Sequence, residues 1–395
     1  MRFDFKGLTS LAKRSAGWSK GLELPGNAEQ KPFGLLTAED DELTMVCRGP
    51  HGYLCDSMEG SGEGFEIGAL PASFLTEAMR LHGRSDVELN FESEDGRNRF
   101  LLTAEGYRRP MLCDHLSGFL PADRVSLALP ELKGDPVSSA AAFGYQLQGL
   151  LKAALMAAPS SELNAARAVV TLSFSEETVT ASATDGRLLM HARAELEKPV
   201  PLDVELHLET EAASRLYGLL HSVDEVELVN LEVYGSGEER YLQVSFQDSA
   251  PVAVMPLVME AGLPVERLLR ETKGRESLAT VVVSPRTCAD LTAIALEKAA
   301  VLECDEHLFK VWTRVDTDAA EEMASVAVVV DAKEVHPGRI AVDSAVLSQL
   351  VKSLNGEELH FQIARAKSGV GLLVVEQESE ADVSVLAGIV ALNEA

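Results

Sequence analysis

The chain of 395 residues is 46% hydrophobic and 25% charged, which excludes a disordered polymer, and at this length two or three domains are expected. Its 62 acidic residues against 35 basic ones give a formal net charge of −27, which on average argues against a protein that grips phosphates over its whole surface. No apolar run is long enough to span a membrane, and Met1-Arg2-Phe3-Asp4-Phe5-Lys6 has no apolar signal core, so a cytoplasmic protein with no membrane partner is expected. The five cysteines, at 47, 55, 113, 288 and 304, have neither zinc-knuckle spacing nor the density of a disulfide framework, so reduced thiols are expected, with no metal and no cofactor.

In chain order, 6–22 reads as a helix with Leu8, Leu11 and Ala12 on one side and Lys6, Lys13, Arg14 and Lys20 elsewhere. Strand-like runs at 33–37 and 43–47 flank Glu39-Asp40-Asp41-Glu42, a solvated hairpin tip rather than a metal site. Gly60-Ser61-Gly62-Glu63-Gly64 lacks the following Lys-Ser/Thr of a phosphate cradle and reads as a loop. Pro71 opens a helix that runs to Gly83, and strands follow at 87–91 and 100–103 around a turn at Glu94-Asp95-Gly96.

The same unit of helix, turn and strand recurs twice. A helix at 211–220 precedes Val226-Glu227-Leu228, and a helix at 344–354, capped by Asn355-Gly356, precedes a strand at 359–363. A further helix stands near the start of each unit, at 6–22, 138–158 and 285–302. The period of about 130 to 140 residues is the size of a small domain. Polar, Gly-bearing stretches place the boundaries, giving domains 1–133, 134–274 and 275–395. Each pairs two helices with antiparallel sheet, an α+β architecture.

Between two alternating runs, Val179-Thr180-Ala181-Ser182 and Met190-His191-Ala192-Arg193-Ala194, lies Ala183-Thr184-Asp185-Gly186-Arg187-Leu188-Leu189. Alternation argues strand on both sides, and Asp-Gly supplies the backbone of a tight turn. Charge is unevenly placed. The helical spans 6–22, 72–84, 138–158, 209–222, 285–302 and 343–354 hold eleven Lys/Arg and six Asp/Glu, a net +5 against −32 elsewhere. Helices facing something anionic explain that bias, as does chance combined with helix-end charge preferences.

Three repeats, relatively basic helices in an acidic chain, and Ser182-Ala183-Thr184-Asp185-Gly186-Arg187-Leu188-Leu189-Met190 together resemble the bacterial sliding clamp, the β subunit of DNA polymerase III. That family carries Val-Ala-Thr-Asp-Gly-His-Arg-Leu-Ala in its middle domain. The resemblance implies three clamp-type domains per chain and a head-to-tail homodimeric ring around double-stranded DNA, bound without regard to sequence. It implies a processivity factor whose partners are a clamp loader, the catalytic subunit of DNA polymerase and other clamp-binding proteins. Such a chain has no catalytic site of its own, being an accessory subunit of a polymerase holoenzyme. The alternative from the residues is a repeat-built interaction scaffold, or an accessory clamp.

The resemblance also assigns residues. A partner-peptide pocket falls on Val169, Leu172, Thr184, Gly186, Arg187, Leu189, Pro264, Leu268, Leu269, Leu386 and Ile389. The DNA-facing set is Lys13, Arg14, Lys20, Arg80, Arg84, Lys152, Arg167, Arg215, Lys298 and Lys352. The ring interface falls on Phe100 and Leu102 of a strand in the first domain and on Val301 and Leu302 of a helix in the third. This chain departs from the family pattern at Arg187-Leu188, where His-Arg is usual, at Leu268, where a second Arg is usual, and at its C-terminal Ala387-Gly388-Ile389-Val390-Ala391-Leu392. The departures make the pocket more aliphatic and less basic.

Overall fold

A computed structural model describes residues 2–18, 33–39, 41–49, 51–62, 65–71, 86–94, 97–104, 107–112, 132, 134–159, 168–196, 203–236, 239–259, 262–273, 279–283, 299–305, 308–314, 322–329, 338–354, 358–365, 371–377 and 383–392. These divide into two compact units, Met1–Tyr145 with Ser214–Leu257, and Gln146–Ala213 with Val258–Ala395. Each unit carries one eight-stranded and one four-stranded sheet, with antiparallel pairing throughout.

In the first unit, β1 (Arg2–Asp4) leads into α1 (Phe5–Trp18). A meander of β2 (Phe33–Glu39), β3 (Glu42–Gly49) and β4 (Gly52–Glu59) is followed by β5 (Phe65–Pro71). A second meander, β6 (Asp86–Glu94), β7 (Arg97–Ala104) and β8 (Tyr107–Leu112), pairs with β1 in the order β1-β6-β7-β8. The middle of the chain adds β9 (Ser138–Phe143), β14 (Leu228–Ser236), β15 (Glu239–Phe246) and β16 (Val252–Pro256), which complete the order β5-β2-β3-β4-β16-β15-β14-β9.

Helix α1 lies on β3 and β4, burying Leu8, Leu11, Ala12 and Trp18. The period of three to four read in the sequence is that buried stripe. It also buries a charge pair. Arg14 donates from Nε to Asp56 Oδ2 at 2.5 Å and from Nη2 to Oδ1 at 3.1 Å, with the side chains 13% and 0% exposed. Burial pushes the Asp56 carboxyl above its ordinary range, against the pull of Arg14. Beside it the buried Cys47 thiol is pushed up to about 12 by burial. A thiol so protonated is a poor nucleophile. Native protein at pH 8 is therefore expected to leave Cys47 unalkylated by iodoacetamide, whereas urea-unfolded chain takes up the label. Peptide mapping by mass spectrometry reads the difference.

In the second unit, α2 (Gly144–Ala157) precedes the meander β10 (Val169–Ser175), β11 (Thr178–Thr184) and β12 (Leu188–Glu195), then β13 (Val204–Glu209) and α3 (Thr210–Leu220). The unit boundary falls at the start of α2 and again inside α3. After α4 (Val265–Lys273) come β17 (Ala279–Val283), β18 (Ala299–Asp305), β19 (Leu308–Arg314), β20 (Glu322–Val329) and β21 (Gly338–Asp343). The chain ends with α5 (Ser344–Ser353), β22 (Leu359–Arg365), β23 (Gly371–Gln377) and β24 (Val383–Val390). The large sheet runs β13-β10-β11-β12-β24-β23-β22-β17 and the small one β20-β19-β18-β21.

The structure corrects several expected elements. Residues 138–143 are strand, not the start of a helix. Their Ala-rich sequence favours helix, but β9 pairs with β14 from Ser138↔Val233 to Phe143↔Leu228, and tertiary pairing overrides propensity. Residues 299–302, expected at the end of a helix, open β18, which is paired on both sides by β19 and β21. Val301 and Leu302 therefore lie on a strand, 5% and 1% exposed, in the core of their own unit. The strand expected at Val226 begins instead at Leu228, because the buried Glu227 carboxylate accepts from the Asp248 and Ser249 N–H groups and the Ser249 hydroxyl. Pro71 ends β5 opposite Phe33. The helix expected at 72–84, residues 285–298 and the Asn355-Gly356 cap lie outside the described residues. Asp343 caps α5, its carboxylate accepting from Ala345 N and Val346 N at 2.9 and 3.2 Å.

Candidate partner-binding site

The second unit brings most of the residues expected to line a pocket together around one end of β12 and β24. The alternating runs form β11 and β12, joined by the turn at 185–187. Asp185 Oδ1 accepts from Arg187 N at 2.7 Å and Leu188 N at 2.8 Å, and Thr184 Oγ1 accepts from Gly186 N at 2.9 Å. Gly186 has φ +90°, a left-handed conformation that favours glycine. Asp185 is the residue that shapes this turn. Gly186 and Arg187 are exposed, whereas Thr184 and Leu189 are buried.

Helix α4, which follows Leu263 and Pro264, lies across β11, β12, β24, β23 and β22. Its inward side, Val265, Leu269 and Thr272, repeats at helical spacing. Val265 and Leu269 form a cluster with Leu189 of β12 and Leu372 and Val374 of β23, flanked by Leu386 and Val390. Gly388 makes the close approach possible. A Cβ placed there meets Leu269 Cδ2 at 2.6 Å and Leu372 Cδ2 at 3.4 Å. Polar contacts brace the helix internally and fasten its C-terminal end to the sheet. Arg270 and Glu266 pair along the helix at 2.7 Å, and at its C-terminal end Lys273 Nζ reaches both oxygens of Glu376 of β23 at 2.5 Å.

These contacts divide the expected pocket residues into floor and rim. Val169, Leu189 and Leu269 are buried and Leu386 is half-buried on the α4 side of the sheet, whereas Leu172 and Ile389, in register with Ala181 and Leu188, are buried on its opposite side and are no part of this floor. Pro264 and Leu268 stand on the exposed edge of α4, and Arg187 on the exposed turn. Neighbouring leucines part company here, since Leu268 is 40% exposed and Leu269 is 0% exposed. Met259, Leu263 and Leu392 are exposed large apolar side chains too, and of these the sequence reading had missed Met259. With Leu268 they make up four of the six such residues described, the others being Val137 and Val226. It had also missed the helix itself. The signal was present in the spacing of Val265, Leu269 and Thr272.

The C-terminal segment completes the rim. Val390 N donates to Arg187 O at 2.8 Å, Ala391 N to Gly371 O at 2.9 Å and Leu392 N to Ala341 O at 2.8 Å. The first bond ties the segment to the 185–187 turn, and the other two tie it to β23 and β21. An apolar floor beneath a rim of exposed leucines and an uncommitted guanidinium suits an extended apolar peptide. Arg187 Nη1 lies 3.9 Å from Asp343 Oδ2, at a solvent-exposed position where such a pair counts for little.

The site does not support serine chemistry. Ser182 Oγ is 2.8 Å from His191 Nδ1, but the imidazole is enclosed under α4 where a substrate has no approach. Among the described residues no group of three or more His, Cys, Asp or Glu is placed to hold a metal ion, and no helix is long and apolar enough to cross a membrane.

Of the DNA-facing set, Lys13 of α1, Lys152 of α2 and Lys352 of α5 are exposed. Arg14 is corrected: it is turned inward to Asp56 and is not a surface cation. Arg215 of α3 donates from Nη1 to Trp18 O at 3.0 Å, serving the last carbonyl of α1. Lys20, Arg80, Arg84, Arg167 and Lys298 lie outside the described residues. Phe100 and Leu102 fall on β7, one strand in from the edge strand β8.

No family model matches the sequence, and no curated protein matches it. Solved structures match over the full chain. The DNA polymerase III β subunit of Thermotoga maritima has a TM-score of 0.79 at 14% identity, covering 100% of this chain and 99% of its own. The DNA polymerase sliding clamp of Pseudomonas aeruginosa scores 0.76 at 16% identity with the same coverage. The β sliding clamp of C. crescentus scores 0.76 at 18% identity, covering 100% and 98%.

Proposed function

We propose that this chain, which has the fold of the bacterial DNA polymerase sliding clamps, works as one: a processivity factor that encircles double-stranded DNA and tethers a DNA polymerase and other clamp-binding proteins. In this reading it acts in the cytoplasm as a homodimer placed on DNA by a clamp loader. Its three repeats are the domains 1–133, 134–274 and 275–395.

The observation that carries the reading is the arrangement of the sheets. The described strands build six four-stranded halves, and four of them are joined in pairs, β4 to β16 and β12 to β24. In both joints the last strand of one three-stranded meander meets the last strand of another. Two halves are left single, β1-β6-β7-β8 and β20-β19-β18-β21. The last meander strands there are β8 and β20, each at a sheet edge. An uncovered edge is a template for pairing. By the rule of the other two joints, β8 of one copy pairs with β20 of a second, and β20 of the first with β8 of the second. That makes a closed head-to-tail pair. It moves the proposed ring contact from Phe100, Leu102, Val301 and Leu302 outward to the two edge strands.

Charge fits retention by topology rather than by grip. With a net charge of −27, and with Arg14 and Arg215 committed within the protein, the described helices offer few free cations to phosphate. Light scattering at micromolar concentration is expected to give the mass of two chains. Protein loaded on nicked circular DNA is expected to stay bound through moderate salt and to leave once the circle is cut to a linear form. A monomer that does not discriminate circles from linear DNA would favour the scaffold reading.

A further inference from the structure

We propose that His191 is a proton-sensitive seat for α4, so that charging its imidazole lifts the helix, and the rim that Pro264 and Leu268 provide, away from the sheet. The consequence for partner binding rests on the proposed function, but the movement itself does not.

The geometry is specific to this position. His191 lies on β12, opposite Ser182 of β11 and Leu386 of β24, and is 4% exposed. Its Nδ1 meets Ser182 Oγ at 2.8 Å, while Nε2 has no hydrogen-bond partner among the described residues. Directly above is the first turn of α4, with Glu266 Oε1 3.8 Å from Nε2. That oxygen already serves Arg270 Nη2 at 2.7 Å. The neutral ring thus sits in a half-satisfied place, and the seated helix holds it there.

The charged ring fares worse. Among the described residues Glu266 is the anion facing it, 3.8 Å away and shared with Arg270. Arg270 from the helix and Arg193 from β12 itself both add positive charge. Ser182 and Leu386, the cross-strand neighbours, carry none. Glu376, one strand beyond Leu386 in the same row, is occupied by Lys273. Burial therefore dominates and pushes the His191 pKa below its ordinary 6.5, with Glu266 opposing and Arg270 and Arg193 assisting. The sign follows. The seated state binds the proton more weakly than the lifted state, where the ring returns to an ordinary value. Seating is complete above about pH 6.5 and is lost as pH falls through the lowered value.

Hydrogen exchange of the α4 amides in the full-length protein tests this without any partner. Rates are divided by the intrinsic rate at each pH. Protection over 265–273 is expected to fall several-fold from about pH 7.5 to about pH 5.5, while the β10–β11 amides hold steady. His191→Phe keeps the ring buried and removes the proton site, and is expected to abolish the pH dependence. Glu266→Gln removes the opposing anion and is expected to deepen it. The same pH response in His191→Phe, or none in the unaltered protein, overturns the proposal. Should His191→Phe fail to fold, NMR titration of the His191 ring decides, since a midpoint at or above 6.5 also overturns it. Failure here leaves the partner site standing, and a partner found elsewhere leaves the exchange result standing.

Discussion

Arg14→Ala is expected to destabilise the first unit by about 3–5 kcal/mol, read as a shift in its urea unfolding or as lost exchange protection in α1, β3 and β4. The size comes from what stays behind. Asp56 is 0% exposed, and its carboxylate loses both guanidinium contacts at once. An uncompensated charge in that position costs more than the pair contributes. The pH dependence identifies the mechanism. Burial already raises the Asp56 pKa above 3.8 with Arg14 present, and removing the cation raises it further. The folded variant binds a proton more tightly than the unfolded chain, so the penalty is largest above the folded pKa and shrinks as acid protonates the carboxyl. A penalty equal at pH 8 and pH 5 points instead to lost packing of the Arg stem. Arg14→Met with Asp56→Leu, which replaces the whole pair by apolar side chains, is expected to recover most of the loss.

Leu269→Ala is expected to cost about 2–5 kcal/mol locally and to weaken partner-peptide binding more than tenfold. Leu269 is the central apolar contact of α4, set against Gly388 and flanked by Leu189 and Leu372. Its loss frees the helix that carries Pro264 and Leu268. A double-mutant cycle makes the test sharp. Gly388→Ala alone places a methyl group 2.6 Å from Cδ2 of the fully buried Leu269, which must shift, and is expected to be destabilising. In the Leu269→Ala background the same methyl occupies the vacated space and is expected to restore part of both stability and affinity. Strict additivity would mean that the two residues do not share that space. The functional arm follows from the proposed function and is read by calorimetry with a clamp-binding peptide of a DNA polymerase.

Much of this was legible in the sequence because it is local. Alternation around Asp185-Gly186 fixed the β11–β12 hairpin, and the apolar spacing of Leu8, Leu11 and Ala12 fixed the buried side of α1. The repeats were readable because each helix that survives stands before a strand of similar length. What the sequence hid was pairing at a distance. Ser138–Phe143 is Ala-rich and looks helical until β14 is beside it. Val301 and Leu302 look like one face of a helix until β19 and β21 enclose them. Arg14 looked like a surface cation because Asp56 is forty-two residues away in sequence. Likewise Leu268 and Leu269 are chemically the same, and only the direction of α4 assigns one to the rim and the other to the floor.

The two joints within the chain are unequal. Strands β12 and β24 are paired at seven positions, from Leu188↔Ile389 to Ala194↔Val383, but β4 and β16 at three, from Val252↔Cys55 to Val254↔Tyr53. Ladder bonds that run across the direction of a load share it, so a short ladder parts first. Under tension across these joints the shorter β4–β16 ladder is expected to part first, and the longer one beside the candidate partner site to hold.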